Sequence, residues 1–114
     1  RLFHLVFPDR GNFIGFVSDL QSRWLLQRAA AAFRARTDSP LECAALPRAV
    51  TGVDWSDHAS FWQAGYRALM VTDTAPFRYP HYHEPTDTPD RIDYHRLAAV
   101  TDGVGVVVAA LARD

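Results

Sequence analysis

Apolar positions recur along this chain in two rhythms. From Phe13 to about Ala35, residues Phe13, Val17, Leu20, Trp24 and Leu25 fall at helical spacing, with Asp19 and Arg23 one turn apart on the outer face. The spacing predicts a long amphipathic helix, introduced by a turn at residues 8–11 and capped by Asn12. Aromatic residues on such a stripe belong to the core. Residues 1–7, Arg-Leu-Phe-His-Leu-Val-Phe, read as a strand or as the end of an incoming segment.

Shorter apolar runs follow. Leu41 to Leu46, bracketed by Pro40 and Pro47, reads as a strand, and residues 48–54 as a loop. Ser56 is placed to cap a short helix from Asp57 to Ala64 that Gly65 ends. Ala68 to Thr72, bounded by Gly65 and Pro76, reads as a buried strand. The order helix, strand, helix, strand predicts a right-handed crossover that lays the two strands parallel. From Asp93 as N-cap, Leu97, Val100, Val104, Val107 and Leu111 keep a helical stripe to the C-terminus. Gly103, Gly105 and three consecutive valines weaken that pattern, and length decides for helix.

At 114 residues the chain suits one domain and is too short for two. With 48% hydrophobic and 22% charged residues, the composition is that of a soluble globular domain. A net charge of −1 without basic or acidic blocks points away from nucleic acid and from an anionic membrane. All 12 basic residues are arginine, a compositional bias. Cys43, the one cysteine, cannot form an internal disulfide and reads as a buried free thiol. No signal peptide is visible, and no apolar run reads as long enough to span a membrane. The chain begins at Arg1, as a processed or truncated product would.

The chemistry concentrates between Gly52 and Tyr94. His81 and His83 straddle Tyr82 in a loop after the Ala68–Thr72 strand, and Asp87 follows His83 by four residues. In an open α/β sheet, ligands collect outside the carboxyl ends of strands, which places a site at this loop. Imidazole is a good zinc ligand and a carboxylate often orients it through its second nitrogen. The same pair could equally pin a surface loop, and spacing alone leaves both readings open. Ser56-Asp57-His58 is not a catalytic triad, because a triad is a spatial arrangement and no Gly-x-Ser-x-Gly elbow occurs. Asp57 is better suited to holding neighbouring groups by hydrogen bonds.

Taken together, these residues resemble the carboxy-terminal part of the M28 family of zinc aminopeptidases. The resemblance runs from Pro8-Asp9-Arg10-Gly11-Asn12-Phe13-Ile14-Gly15-Phe16-Val17 through Trp55-Ser56-Asp57-His58, Phe61-Trp62 and Gly65-Tyr66. It continues through Ala68-Leu69-Met70-Val71-Thr72-Asp73-Thr74 to Tyr82-His83 and Asp87-Thr88. It implies an α/β fold, a partial three-layer α/β/α sheet with long N-terminal and C-terminal helices, incomplete without its upstream half. Residues 1–114 would be the C-terminal part of a single peptidase domain. The implied activity is hydrolysis of N-terminal peptide bonds by water held between two zinc ions. His83 would be a metal ligand and Tyr82 the donor to the oxyanion. Asp57, Ser56 and Asp87 would be supporting residues, and Phe77 and Tyr79 would border the pocket for the first side chain. The implied partners are a peptide with a free N-terminus and the missing N-terminal half.

The chain departs from that family in one respect. It has two glutamates, Glu42 and Glu84, and no adjacent pair, so at most one of five metal ligands is present. A zinc site needs three or four protein ligands, so the fragment alone is expected to be inactive. An incomplete sheet is expected to expose apolar surface and to self-associate through its edge. Two other functions compete: a non-catalytic scaffold or receptor-type module of the same fold, and a glutaminyl cyclase-type acyltransferase.

Overall fold

The computed structural model describes residues 8–113, so the strand expected at residues 1–7 lies outside the described residues. The first described element corrects the predicted long helix. Ile14–Asp19 is a strand, β1, and only Arg23–Arg34 is helical, as α1. The physical reason lies in burial on both sides of the strand. Ile14 and Phe16 face one way and Val17 the other, and every residue from Gly15 to Asp19 is buried. A strand covered on both faces reads as a continuous apolar run, and its residues fell by chance at helical spacing.

Asp19 ends β1 by accepting a hydrogen bond from the Ser22 amide at 2.8 Å, which starts a single 3-10 turn over Leu20–Ser22. The buried stripe of α1 is Leu26, Ala29, Ala30 and Phe33, the i, i+3, i+4, i+7 pattern of an amphipathic helix. Trp24, expected in the core, is 63% exposed, with the Arg28 guanidinium 4.7 Å from its ring centre.

Strand β2, Leu41–Leu46, and strand β3, Leu69–Thr72, form where the sequence predicts them. Their relation differs from prediction. The sheet order is β2-β1-β3, with β2 parallel to β1 from Ile14↔Leu41 to Asp19↔Leu46. β3 is antiparallel to β1, from Gly15↔Thr72 to Ser18↔Leu69. With β1 read as helix, the sequence offered no central strand, and the two predicted strands were paired by default.

Helices cover both faces, which makes the fold three-layered α/β. On one face, Phe16 and Leu41 meet Leu26, Ala29, Ala30 and Phe33 of α1 and Val107 of the last helix. Phe16 and Phe33 meet edge to face at 5.2 Å between ring centres. Both are fully buried, each worth ~1.5–3 kcal/mol relative to exposure. On the other face, Phe13, Val17 and Ala44 meet Val53 and Trp62. Trp62 belongs to α2, His58–Gln63, which ends on Gly65 at φ 87°. There the amides of Gly65 and Tyr66 return to the carbonyls of Trp62 and Phe61, at 3.1 and 2.9 Å. A four-residue helix, α3 (Ala75–Arg78), follows β3.

The last helix, α4, is Tyr94–Ala112, capped by the Asp93 carboxylate accepting from the Arg96 amide at 3.1 Å. By length and composition it is apolar enough to cross a membrane, which corrects the expectation that no run reaches that length. A core helix meets the same criterion, and in this fold Gly103 and Val107 of α4 are buried, with Gly103 against the Phe33 ring. Cys43 is half-buried and free, and its partial burial raises the thiol pKa.

Candidate functional site

The loop from Asp73 to Thr88 leaves the carboxyl end of β3. Because β3 runs against β1, that end lies beside the amino ends of β1 and β2, with Thr72 opposite Gly15. The loop therefore does not sit at the common carboxyl edge that a parallel sheet would provide. It is built from successive turns, in which the amides of Phe77, Tyr79, Tyr82 and Glu84 donate to the carbonyls of Thr74, Ala75, Tyr79 and His81. It carries two residues in the left-handed region, Thr74 at φ 68° and His83 at φ 57°. Such backbone is uncommon for a residue with a side chain, above all for a β-branched one.

Most polar side chains of this loop are engaged. Asp73 accepts from the Ala75 amide at 2.9 Å, and the Tyr79 hydroxyl donates to Asp87 at 3.0 Å. His81 Nδ1 lies 2.8 Å from the Thr86 hydroxyl. Partial desolvation, then the bond to Asp87, raise the Tyr79 phenol above its ordinary pKa. Asp87 is thus held by Tyr79, and among the described residues it does not pair with His83. Two side chains stand apart. Tyr82 and His83 stack on one another, ring centres 4.0 Å apart and planes 16° apart. Among the described residues, neither the Tyr82 hydroxyl nor a His83 ring nitrogen has a hydrogen-bond partner.

Tyr82 lines two clefts. The first, about 530 Å³, has an apolar floor of Val17, Leu46 and Met70 and a rim where Trp55 stacks on Phe77 at 5.6 Å. Ser56 lines this cleft as well. Gly52 gives Phe77 its room: a Cβ there would lie 2.4 Å from the ring, and φ is 93°. The second, about 850 Å³, takes in Tyr79, Asp87, Arg91 and Arg96. The structure thus brings Tyr82, Phe77 and Ser56 together and sends Tyr79 and Asp87 to the neighbouring cleft. Asp57 is exposed at the N-cap of α2 and its side chain makes no capping bond; Ser56 does not cap that helix either.

His58 is not a base beside Ser56. It is buried, with Nε2 donating to the Val53 carbonyl at 2.5 Å and its ring edge-on to Trp62. Sequence reading also missed Asp19, assigned to an exposed helix face. Its carboxylate is buried and takes two bonds from Arg48, at 2.9 and 2.6 Å. Burial pushes the Asp19 pKa up, but the bonds from Ser22 and Arg48 outweigh it and hold the group below its ordinary value. Gly52, Trp55 and Thr74 entered the sequence reading only as members of longer runs and were given no role, and Arg78 was not named. The glycine at Thr51-Gly52 was a turn signal.

The sequence profile of peptidase family M28 matches residues 8–108. The chain belongs to that family. It is also 39% identical over 99 residues to the uncharacterized protein YfbL of Escherichia coli (strain K12), a match covering 87% of this chain and 31% of that protein. The M28 chain therefore spans about a third of its relative's length. No solved structure gives a significant match. Among the described residues, no group of three or more His, Cys, Asp or Glu side chains could hold a metal ion. The donors of this M28 chain do not by themselves fit a zinc ion: His83 offers one imidazole, and three or four ligands are required.

Proposed function

We propose that this chain is the C-terminal part of a metal-dependent aminopeptidase domain that removes N-terminal residues from peptides. His83 is one ligand of a two-zinc site whose other ligands lie on polypeptide beyond this chain. Membership of the M28 family supports metal-dependent peptide hydrolysis. The observation that carries the assignment of residues is the Tyr82–His83 stack, whose polar atoms have no partner among the described residues, in a loop where most other polar side chains are engaged. A ligand must keep a ring nitrogen free, and left-handed backbone at a non-glycine residue is the kind of strain that functional sites retain. Tyr82 can donate its hydroxyl to negative charge developing on a peptide oxygen, a bond stronger in the transition state than in the ground state. The 530 Å³ cleft, with Trp55 and Phe77 at its rim, then takes an apolar side chain of the substrate's first residue. Asp87 supports the loop through the Tyr79 hydroxyl, and Ser56 and Asp57 support their turn through main-chain carbonyls that accept from the Ala59 and Ser60 amides.

The test uses the full-length protein and peptides with free N-termini, following both release of the first residue and cyclisation of an N-terminal glutamine. The expected result is release. Cyclisation would favour the acyltransferase reading, and neither reaction would favour the scaffold. In an active protein, His83→Ala is expected to remove most activity and lower the zinc content measured by atomic absorption. Tyr82→Phe is expected to lower kcat by about 10²-fold with zinc retained. Full zinc and near-normal turnover in His83→Ala would reject the ligand assignment.

A further inference from the structure

We infer that Arg78 is a positioning residue for the Tyr82–His83 loop, tying it to the incoming segment of residues 8–13 and so fixing where His83 stands. This inference rests on the peptidase reading above. Arg78 closes α3, five residues before His83. Its Nε donates to the Thr74 hydroxyl at 2.9 Å, while Nη1 and Nη2 donate to the carbonyls of Asp9 and Pro8. The guanidinium also lies 5.6 Å from the centre of the Phe13 ring. Gly11 lets the side chain pass, since a Cβ at that position would lie 3.0 Å from Arg78 Cδ.

The Thr74 end of this clamp is the strained one. Thr74 is 2% exposed and β-branched, yet holds φ 68°. That backbone is unfavourable for a residue with a Cβ and persists only where its surroundings over-determine it. Two hydrogen bonds do so here: Arg78 Nε to the Thr74 hydroxyl, and the Thr74 amide to the Thr72 hydroxyl at 3.1 Å. From Arg78 onward the turns Tyr82 to Tyr79 and Glu84 to His81 follow without a break, at 3.2 and 2.9 Å. A displacement at Arg78 is therefore passed to Tyr82 and His83. Only a planar fork with several fixed donors reaches a hydroxyl and two carbonyls at once. Lysine would keep the charge and lose that geometry.

The experiment compares Arg78→Lys, Arg78→Ala and Thr74→Val with wild type in the full-length protein. It measures kcat and KM for release of an N-terminal residue and amide hydrogen exchange along the chain. Arg78→Lys is expected to lower kcat by ~10-fold or more with KM little changed, as a misplaced catalytic group does. Exchange within residues 79–87 is expected to quicken by about 10-fold while residues 26–33 of α1 keep wild-type protection. Thr74→Val, which removes one bond of the clamp, should move both readouts the same way by less. Wild-type kcat and wild-type exchange in Arg78→Lys would overturn the inference. So would exchange rising equally in α1, which would mark a general structural role. Should wild type release no N-terminal residue, the peptidase reading fails, whereas the exchange comparison still decides whether Arg78 holds the loop.

Discussion

Phe16, Phe33 and Val107 meet in an apolar cluster on the α1–α4 side of the sheet, whereas the loop after β3 is held largely by polar bonds. In the first region the constraint is volume. Apolar side chains fill space at near-crystalline density, and each is specified by what its neighbours leave. In the second the constraint is direction. Donors and acceptors must meet at fixed angles, and Thr74 and His83 are kept in backbone that their own chemistry disfavours. The contrast suggests that the layered body confers stability while the loop stores geometry at small energetic cost. Substitutions should separate the two.

The largest effect is expected at the helix–helix contact. Gly103→Ala places a methyl group 2.4 Å from the Phe33 ring, and overpacking of this kind costs ~1–3 kcal/mol in denaturant unfolding. Gly105→Ala, two residues along the same helix with nothing within 4 Å of its Cβ, should instead stabilise by ~0.5–1 kcal/mol. Equal effects at the two glycines would break the claim that volume rules this face.

Asp19 tests the boundary between the regions, being a polar anchor inside the body. Its folded pKa lies below the unfolded one, so its contribution is fully present above the ordinary carboxylate value of ~3.9 and is lost as pH falls through the lowered value. Asp19→Asn is expected to cost ~1–2 kcal/mol at neutral pH and to flatten the acid limb of a stability-against-pH curve. An unchanged acid limb would assign that limb to other carboxylates. The smallest effect belongs to the loop. His83→Gly relieves left-handed backbone, so unfolding free energy should stay level or rise by ~0.5–1 kcal/mol. A clear loss would show that the His83 ring carries stability as well as function.

The same contrast explains what could be read from the amino-acid order. Leu41–Leu46, Leu69–Thr72 and the helix from Tyr94 were legible, because burial leaves a periodic trace and Pro40, Pro47, Gly65 and Asp93 punctuate it. β1 was not, since a strand buried on both faces loses its alternation, and with it went the antiparallel setting of β3. At the site, Tyr82 and His83 were found through family resemblance, and the stack that joins them has no signature in spacing. Arg78 and the Arg48–Asp19 pair act across 69 and 29 positions of sequence, where no local pattern reaches.

The imidazole hidden beneath Trp62 has one more implication. With its Nε2 proton committed to the Val53 carbonyl, His58 works as a peg driven up through the floor, fastening the stretch that bears Gly52 and Trp55 from below. The Trp55 side of the stacked pair at the rim is therefore moored by a buried residue, and the Phe77 side by the αL turn at Thr74. The spacing of the stacked rings thus rests on both foundations.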